Sequence, residues 1–169
     1  MSALHASVLS AFKKQGWAYR EVPGQEVVES SFEAHHGKIF LHVQSFADAD
    51  CVVVVGNASS TVNASHRLRV CELIMRVNRD LNLGAFELEW DGGQVMYRQS
   101  NIFPPNRSDE KIIAGLVHNA ISEVDRFTPF LGEICRTSRE MLPLLDVREL
   151  LKREDLLPPT PEGEESEGA

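Results

Sequence analysis

Apolar and polar positions change period several times along the chain, and each change marks an element. Leu4, Val8 and Phe12 recur every four residues. That spacing predicts a helix over 2–15, capped by Ser2 and ended by Gly16. In "EVPGQ", Glu21 to Gln25, Pro precedes Gly, which predicts a type II turn. Beyond it the period drops to two. Over Glu26–Ala34, Val28, Ser30, Phe32 and Ala34 alternate with Glu29, Ser31 and Glu33. Over Lys38–Phe46, Ile39, Leu41 and Val43 alternate with Phe40, His42 and Gln44. These two segments should pair as a hairpin through the short "HHG" turn. After a second turn, "ADAD", the run "CVVVV" (Cys51–Val55) shows no alternation. Such a run suits a central strand covered on both faces, or one buried in an interface. Asn57–Ser65 is polar and reads as a loop.

A helix is expected from near Ser65. Val70, Ile74, Val77 and Leu81 form its apolar stripe, widened by Leu68, Cys71 and Met75, and Asn82 and Gly84 suit its end. Gly84–Ser100 then alternates on both sides of Asp91-Gly92-Gly93, the pattern of a β-hairpin. Two registers fit. One pairs Leu88 with Val95 and Phe86 with Tyr97; the other pairs Trp90 with Val95 and Leu88 with Tyr97. Both place Phe86, Leu88, Trp90, Val95 and Tyr97 on one face, because a slip by one residue would mix the faces. That face suits a core under helices, a dimer seam or a partner groove. "FPPN" (Phe103–Asn106) breaks the pattern, and Ser108 is placed to cap a long helix. Ile113, Leu116, Val117, Ala120, Ile121 and Val124 form its buried face, which continues through Phe127, Phe130, Leu131 and Ile134. Pro129 predicts a kink, or a new helix starting at Thr128.

The chain of 169 residues suits one domain over 1–141. Residues 142–157, "LPLLDVRELLKREDLL", add a helical extension with Asp146 as a cap, and the Pro- and Glu-rich residues 158–169 should form a disordered acidic tail. Net charge is −8, half of it from Glu162, Glu164, Glu165 and Glu167. An acidic body without a basic stripe disfavours nucleic acid and anionic membranes as partners. The first twelve residues lack the pattern of a secretory leader and no apolar run is long enough to span a bilayer, so a soluble, cytoplasmic protein is expected. Cys51, Cys71 and Cys135 are odd in number and far apart, and should pack as reduced, small hydrophobes.

Candidate chemistry is sparse. The six histidines form no HxxxH or HExxH pair and there is no CxxC, so no metal site is assigned, and His35 and His36 read as solvated turn residues. GxSxG and phosphate-binding glycine loops are absent, so no cofactor is assigned either. Glu87 and Glu89 share a strand face and could divide acid and base roles if a cleft separated their pKa values. Alternate charges on a strand suit its solvated side equally well, and no catalytic residue is assigned.

The segment "VNRDLNLGAFELEWDGGQVMYRQSNIF" brings together the helix end at Asn78 and Leu81, Gly84-Ala85-Phe86, Asp91-Gly92 and Val95-Tyr97-Arg98. In these residues the chain resembles the YbjN family, nearest its cyanobacterial and plastid branch. The helix with Ile113, Val117, Ile121 and Pro129-Phe130-Leu131 resembles the family's C-terminal helix, and the resemblance spans roughly residues 3–140. It implies a two-layer α+β fold in which helices pack on an antiparallel sheet of about five strands, in the order helix, three strands, helix, hairpin, long helix, like type III secretion chaperones. It also implies a bacterial cytoplasmic protein without enzymatic chemistry, and no family catalytic residues to carry over. Secretion chaperones of that fold are homodimers that hold extended segments along apolar grooves. The expectation is a non-enzymatic protein-binding module of chaperone-like or regulatory type, homodimeric, with an unidentified protein partner. Candidate partner or dimer residues are Phe40, Phe46, Val53, Val55, Trp90 and Tyr97. The alternative is a small-ligand sensor, with a pocket between sheet and helices served by His42, Gln44 or Arg98. An enzyme would need a cleft gathering Glu87, Glu89 and a histidine.

Overall fold

The alternating segments assemble into a single antiparallel sheet with all the long helices on one side of it. The structure, a computed structural model, describes residues 1–104 and 107–157. Its elements run α1 (Ala3–Gln15), β1 (Arg20–Glu21), β2 (Val27–Ala34), β3 (Gly37–Phe46), β4 (Cys51–Thr61), α2 (Arg67–Asp80), β5 (Ala85–Leu88), β6 (Gln94–Ile102), α3 (Glu110–Arg136) and α4 (Val147–Leu150). The six strands lie in the order β1-β2-β3-β4-β6-β5. The fold is α+β as expected, with one more strand than the alternation alone indicates. That strand, β1, is a two-residue edge piece hidden in the approach to the Pro23-Gly24 turn.

Local chemistry explains most element ends. The Ser2 hydroxyl accepts from His5 N–H at 3.1 Å, and Gly16 closes α1 at φ 68°. β2 and β3 turn through His35-His36, with Ala34 paired to Gly37. β4 runs on to Thr61, through residues expected to be loop, with a register irregularity between Asn57 and Thr61. Ser59, Ser60 and Thr61 at this end are exposed, while Ala58 and Val62 on either side of them join the core. Phe86 pairs with Tyr97 and Leu88 with Val95, one of the two expected registers. Glu89 N–H donates to Gln94 O and Gly93 N–H to Glu89 O, so the loop spans Trp90–Gly93 and lifts Trp90 off the sheet.

One core lies between sheet and helices. Val28, Ile39, Leu41, Val43, Val52, Val54, Val95 and Tyr97 of the sheet meet Leu4, Val8 and Phe12 of α1, Val70 and Leu73 of α2, and the expected face of α3. Leu142, Val147 and Leu150 belong to the same core, so the extension docks on the domain. Arg69 holds it from α2, donating to Leu142 O at 2.9 Å and Pro143 O at 3.0 Å. The acidic tail lies outside the described residues. On α2 the buried face is narrower than expected: Val70, Leu73 and Ile74 are buried, whereas Leu68 and Met75 are exposed.

Pro129 does not restart the helix; α3 is continuous from Glu110 to Arg136. Proline lacks the N–H that would bond the carbonyl of Asp125, four residues earlier. His36 supplies a substitute. Its Nδ1 lies 3.1 Å from Asp125 O, and its backbone N–H donates to Asp125 Oδ1 at 2.6 Å. His36 is therefore a docking residue between the β2–β3 turn and α3, not a solvated turn residue; His35 alone is exposed.

Candidate functional site

The side of the sheet away from the helices carries no covering element among the described residues. Strand pairing arranges its side chains in cross-strand rows on β3, β4 and β6: Phe46–Cys51–Ile102, Gln44–Val53–Ser100, His42–Val55–Arg98 and Phe40–Asn57–Met96. An antiparallel sheet with one wet side normally alternates apolar-in with polar-out. Most of β2 obeys, with Glu29, Ser31 and Glu33 outward, although Val27 at its start shares that side and is buried. The middle strands do not. Phe40, Phe46 and Ile102 remain 47%, 42% and 75% exposed, with half-buried Val53 and Met96 between them. A shallow depression of ≈ 390 Å³ runs among His42, Phe46, Val53, Val55, Met96 and Arg98. Within it Asn57 Oδ1 is shielded from solvent and has no hydrogen-bond partner among the described residues. Arg98 closes one margin by donating to Glu87 at 3.0 Å.

Four of the six expected surface residues, Phe40, Phe46, Val53 and Val55, thus share one face, with Val55 already covered by its neighbours. Trp90 is exposed, but in the hairpin loop rather than in these rows. Tyr97 is corrected: it points to the helices and is fully buried, because a side chain paired opposite Phe86 and Gly56 must share their side of the sheet. Met96 and Ile102 belong to the face and were missed, although strand alternation from Val95 and Tyr97 already places them opposite the core.

Tyr97 anchors a buried polar chain instead. Its hydroxyl donates to Leu83 O at 2.6 Å and accepts from Asn119 Nδ2 at 2.9 Å. The same Asn119 nitrogen donates to Gln99 Oε1 at 2.9 Å, and Gln99 Nε2 donates to Leu116 O. Burial pushes the Tyr97 phenol above its ordinary value; the bond from Asn119 opposes this and the charge of Glu123 adds to it.

The sites required by the other expectations do not assemble as drawn. His42, Gln44 and Arg98 lie on the open face, not between sheet and helices. Glu87 pairs with Arg98, and Glu89 is spent on the hairpin loop, accepting from Asp91 N–H at 2.9 Å and from Gly92 N–H. Neither carboxylate is bonded to a histidine among the described residues. No cluster of three or more metal-ligating side chains occurs among the described residues. The cysteines are free, and burial raises the Cys135 thiol above its ordinary value. No helix among the described residues is long and apolar enough to cross a membrane.

A second concavity, of ≈ 490 Å³, opens on the helical side between α2 and α3. Phe86, Phe127 and Phe130 line its floor, with the Phe86 and Phe127 rings stacked 4.0 Å apart at 19°. Asp80 and Arg76 stand on the α2 wall, Asn119, Glu123 and Arg126 on the α3 wall, and Leu151 and Leu157 of the extension at the mouth. Four separate segments build it, which is why no single stretch of sequence announces it.

Comparison with known proteins adds two findings. The family model described as "YbjN: Putative bacterial sensory transduction regulator" matches residues 5–133. A similar solved structure is titled "Crystal structure of YbjN, a putative transcription regulator from E. coli"; it is 11% identical, with a TM-score of 0.54 over 71% of this chain and 86% of that one. At that identity the likeness speaks for the fold alone, and neither finding points to one branch of the family. No curated protein matches the sequence.

Proposed function

The chain belongs to the YbjN family, and from that premise we propose that it is a non-enzymatic regulatory module that binds protein through the helix-free face of its sheet, with a second copy of itself seated there. The observation that carries this reading is the apolar centre of that face. Phe40, Phe46, Val53, Met96 and Ile102 stand where a solvated sheet would carry polar side chains, and Glu29, Glu33, Glu87 and Arg98 surround them. An apolar centre within a polar margin is the anatomy of a protein interface. The free cysteines support a reducing, cytoplasmic setting.

Light scattering after size exclusion tests the proposal. The wild-type chain of 18.9 kDa should travel at twice that mass. Val53→Glu places a carboxylate at the middle of the face, and twice over in a symmetric pair, while leaving the core side of β4 untouched. It should run as a monomer with unchanged circular dichroism. A wild-type monomer at tens of micromolar, or a Val53→Glu variant that still pairs, would refute the seam.

A further inference from the structure

The concavity between α2 and α3 is independent of the open face and has its own chemistry. Its floor is aromatic, and its size lies within the roughly 300–1,000 Å³ typical of small-molecule sites. What decides the class of ligand is which polar groups on its walls are already spent. Arg76 is spent: it donates to Glu72 at 2.9 and 3.0 Å, and Glu72 also accepts from Arg69 at 2.8 Å. Arg126 is exposed at the lip. Asn119 is fixed in orientation by its network. Gln99 must donate to Leu116 O, so Gln99 offers its oxygen to Asn119, and Asn119 answers with nitrogen. The Asn119 side-chain oxygen is left without a partner among the described residues. Glu123, half-buried on the same wall, makes no hydrogen bond or ion pair among the described residues. Asp80, on α2, stands exposed at the rim, 3.9 Å from Arg79. The unspent groups inside the lip are therefore acceptors, the Asn119 oxygen and the anionic Glu123 carboxylate.

We propose that the α2–α3 groove is a binding site for a small organic cation, an ammonium group carried on an apolar or aromatic body. The ammonium donates to Glu123 and the Asn119 oxygen, and the body lies on Phe86, Phe127 and Phe130. The donors of a compact cation match the two acceptors on the α3 wall, and an aromatic floor beneath a cation adds attraction of its own.

Calorimetric titration of the full chain with phenethylammonium, against 3-phenylpropionate as a probe of similar shape and opposite charge, tests this. Phenethylammonium should bind saturably with a Kd on the order of 1 mM or tighter, and the carboxylate about tenfold or more weakly. Glu123→Gln keeps the shape of a side chain that bonds nothing in the protein, and should cost about tenfold in affinity for the amine. Asp80→Asn should weaken it less, and Arg126→Ala should leave it equal or tighter. No saturable binding by about 10 mM would overturn the proposal. So would equal binding of both probes, or amine binding that Glu123→Gln leaves unchanged, since the cation would then sit elsewhere on this acidic chain.

Discussion

Replacing His36 by Ala tests whether a side chain from a β-turn repairs a helix interrupted by proline. In the wild type Asp125 O, stranded by Pro129, receives the His36 Nδ1 proton at 3.1 Å. The 3.4 Å approach of the same nitrogen to Asp125 Oδ2 is longer, so the carbonyl is the principal acceptor. The backbone N–H of residue 36 keeps its bond to Asp125 Oδ1 in the variant, and only the imidazole is lost. Asp125 is buried, and a buried acceptor left unsatisfied costs about 1–3 kcal/mol. At about 2–4 °C per kcal/mol for a domain of this size, Tm should fall by roughly 2–12 °C. The discriminating step is a double-mutant cycle with Pro129→Ala. Alanine restores an N–H at position 129, four residues after Asp125, and that N–H can bond the stranded carbonyl. In the Pro129→Ala background, His36→Ala should cost about 0.5 kcal/mol or less, a coupling of about 1 kcal/mol or more. Urea denaturation of the four proteins measures it. Costs that add within about 0.5 kcal/mol would refute the repair and reduce His36 to an ordinary surface contact.

Two further outcomes follow from the packing of the sheet. A Cβ on Gly56 would lie 3.0 Å from Val124 Cγ2 and 3.2 Å from Leu41 Cδ2, so Gly56→Ala should destabilise by about 1–3 kcal/mol in urea, and Val124→Ala in the same chain should recover part of that loss. Tyr97 should ionise above its ordinary value of 10.0, chiefly because burial disfavours the phenolate. Its folded pKa is raised, so its contribution to stability is whole below about pH 10 and is lost as pH rises from there through the folded value; absorbance near 295 nm, with Tyr97→Phe as the blank, follows it, and a Tyr97 phenol titrating at its ordinary value would contradict the burial.

Where structure depends on neighbours in sequence, the pattern of the chain was sufficient. The α1 caps, the β2–β3 hairpin and the buried stripe of α3 all rest on contacts a few residues apart or on a strict period; for the second hairpin the pattern left two registers, of which the structure has the one that pairs Phe86 with Tyr97. What escaped depends on distant partners. β1 is two residues long and exists because Arg20 and Glu21 pair with Glu29 and Val28. The end of β4 is polar and declares itself a strand only through pairing with β6. His36 looks solvated until Pro129, far along the chain, leaves it an acceptor. The open face was half legible: alternation put Phe40 on one side of its strand, the unalternating run Cys51–Val55 gave Val53 no side, and only the order β3-β4-β6 brings Met96 and Ile102 beside them.

Asn78, near the end of α2, gives its Nδ2 to Phe86 O at 3.0 Å and takes Phe86 N–H on its Oδ1 at 2.8 Å. A single side-chain amide thus copies the peptide group that a neighbouring strand would offer to the outer edge of β5. An incoming strand finds that edge occupied, and the stub β1 at the opposite end gives it only two residues to follow. Ribbon-like growth, in which one sheet continues into the next, is thereby discouraged at both ends. In the pairing we propose, copies of this chain would meet broadside, and two sheets stacked that way would exhaust the surface that draws them together, so assembly would stop at a pair instead of running on as a fibre.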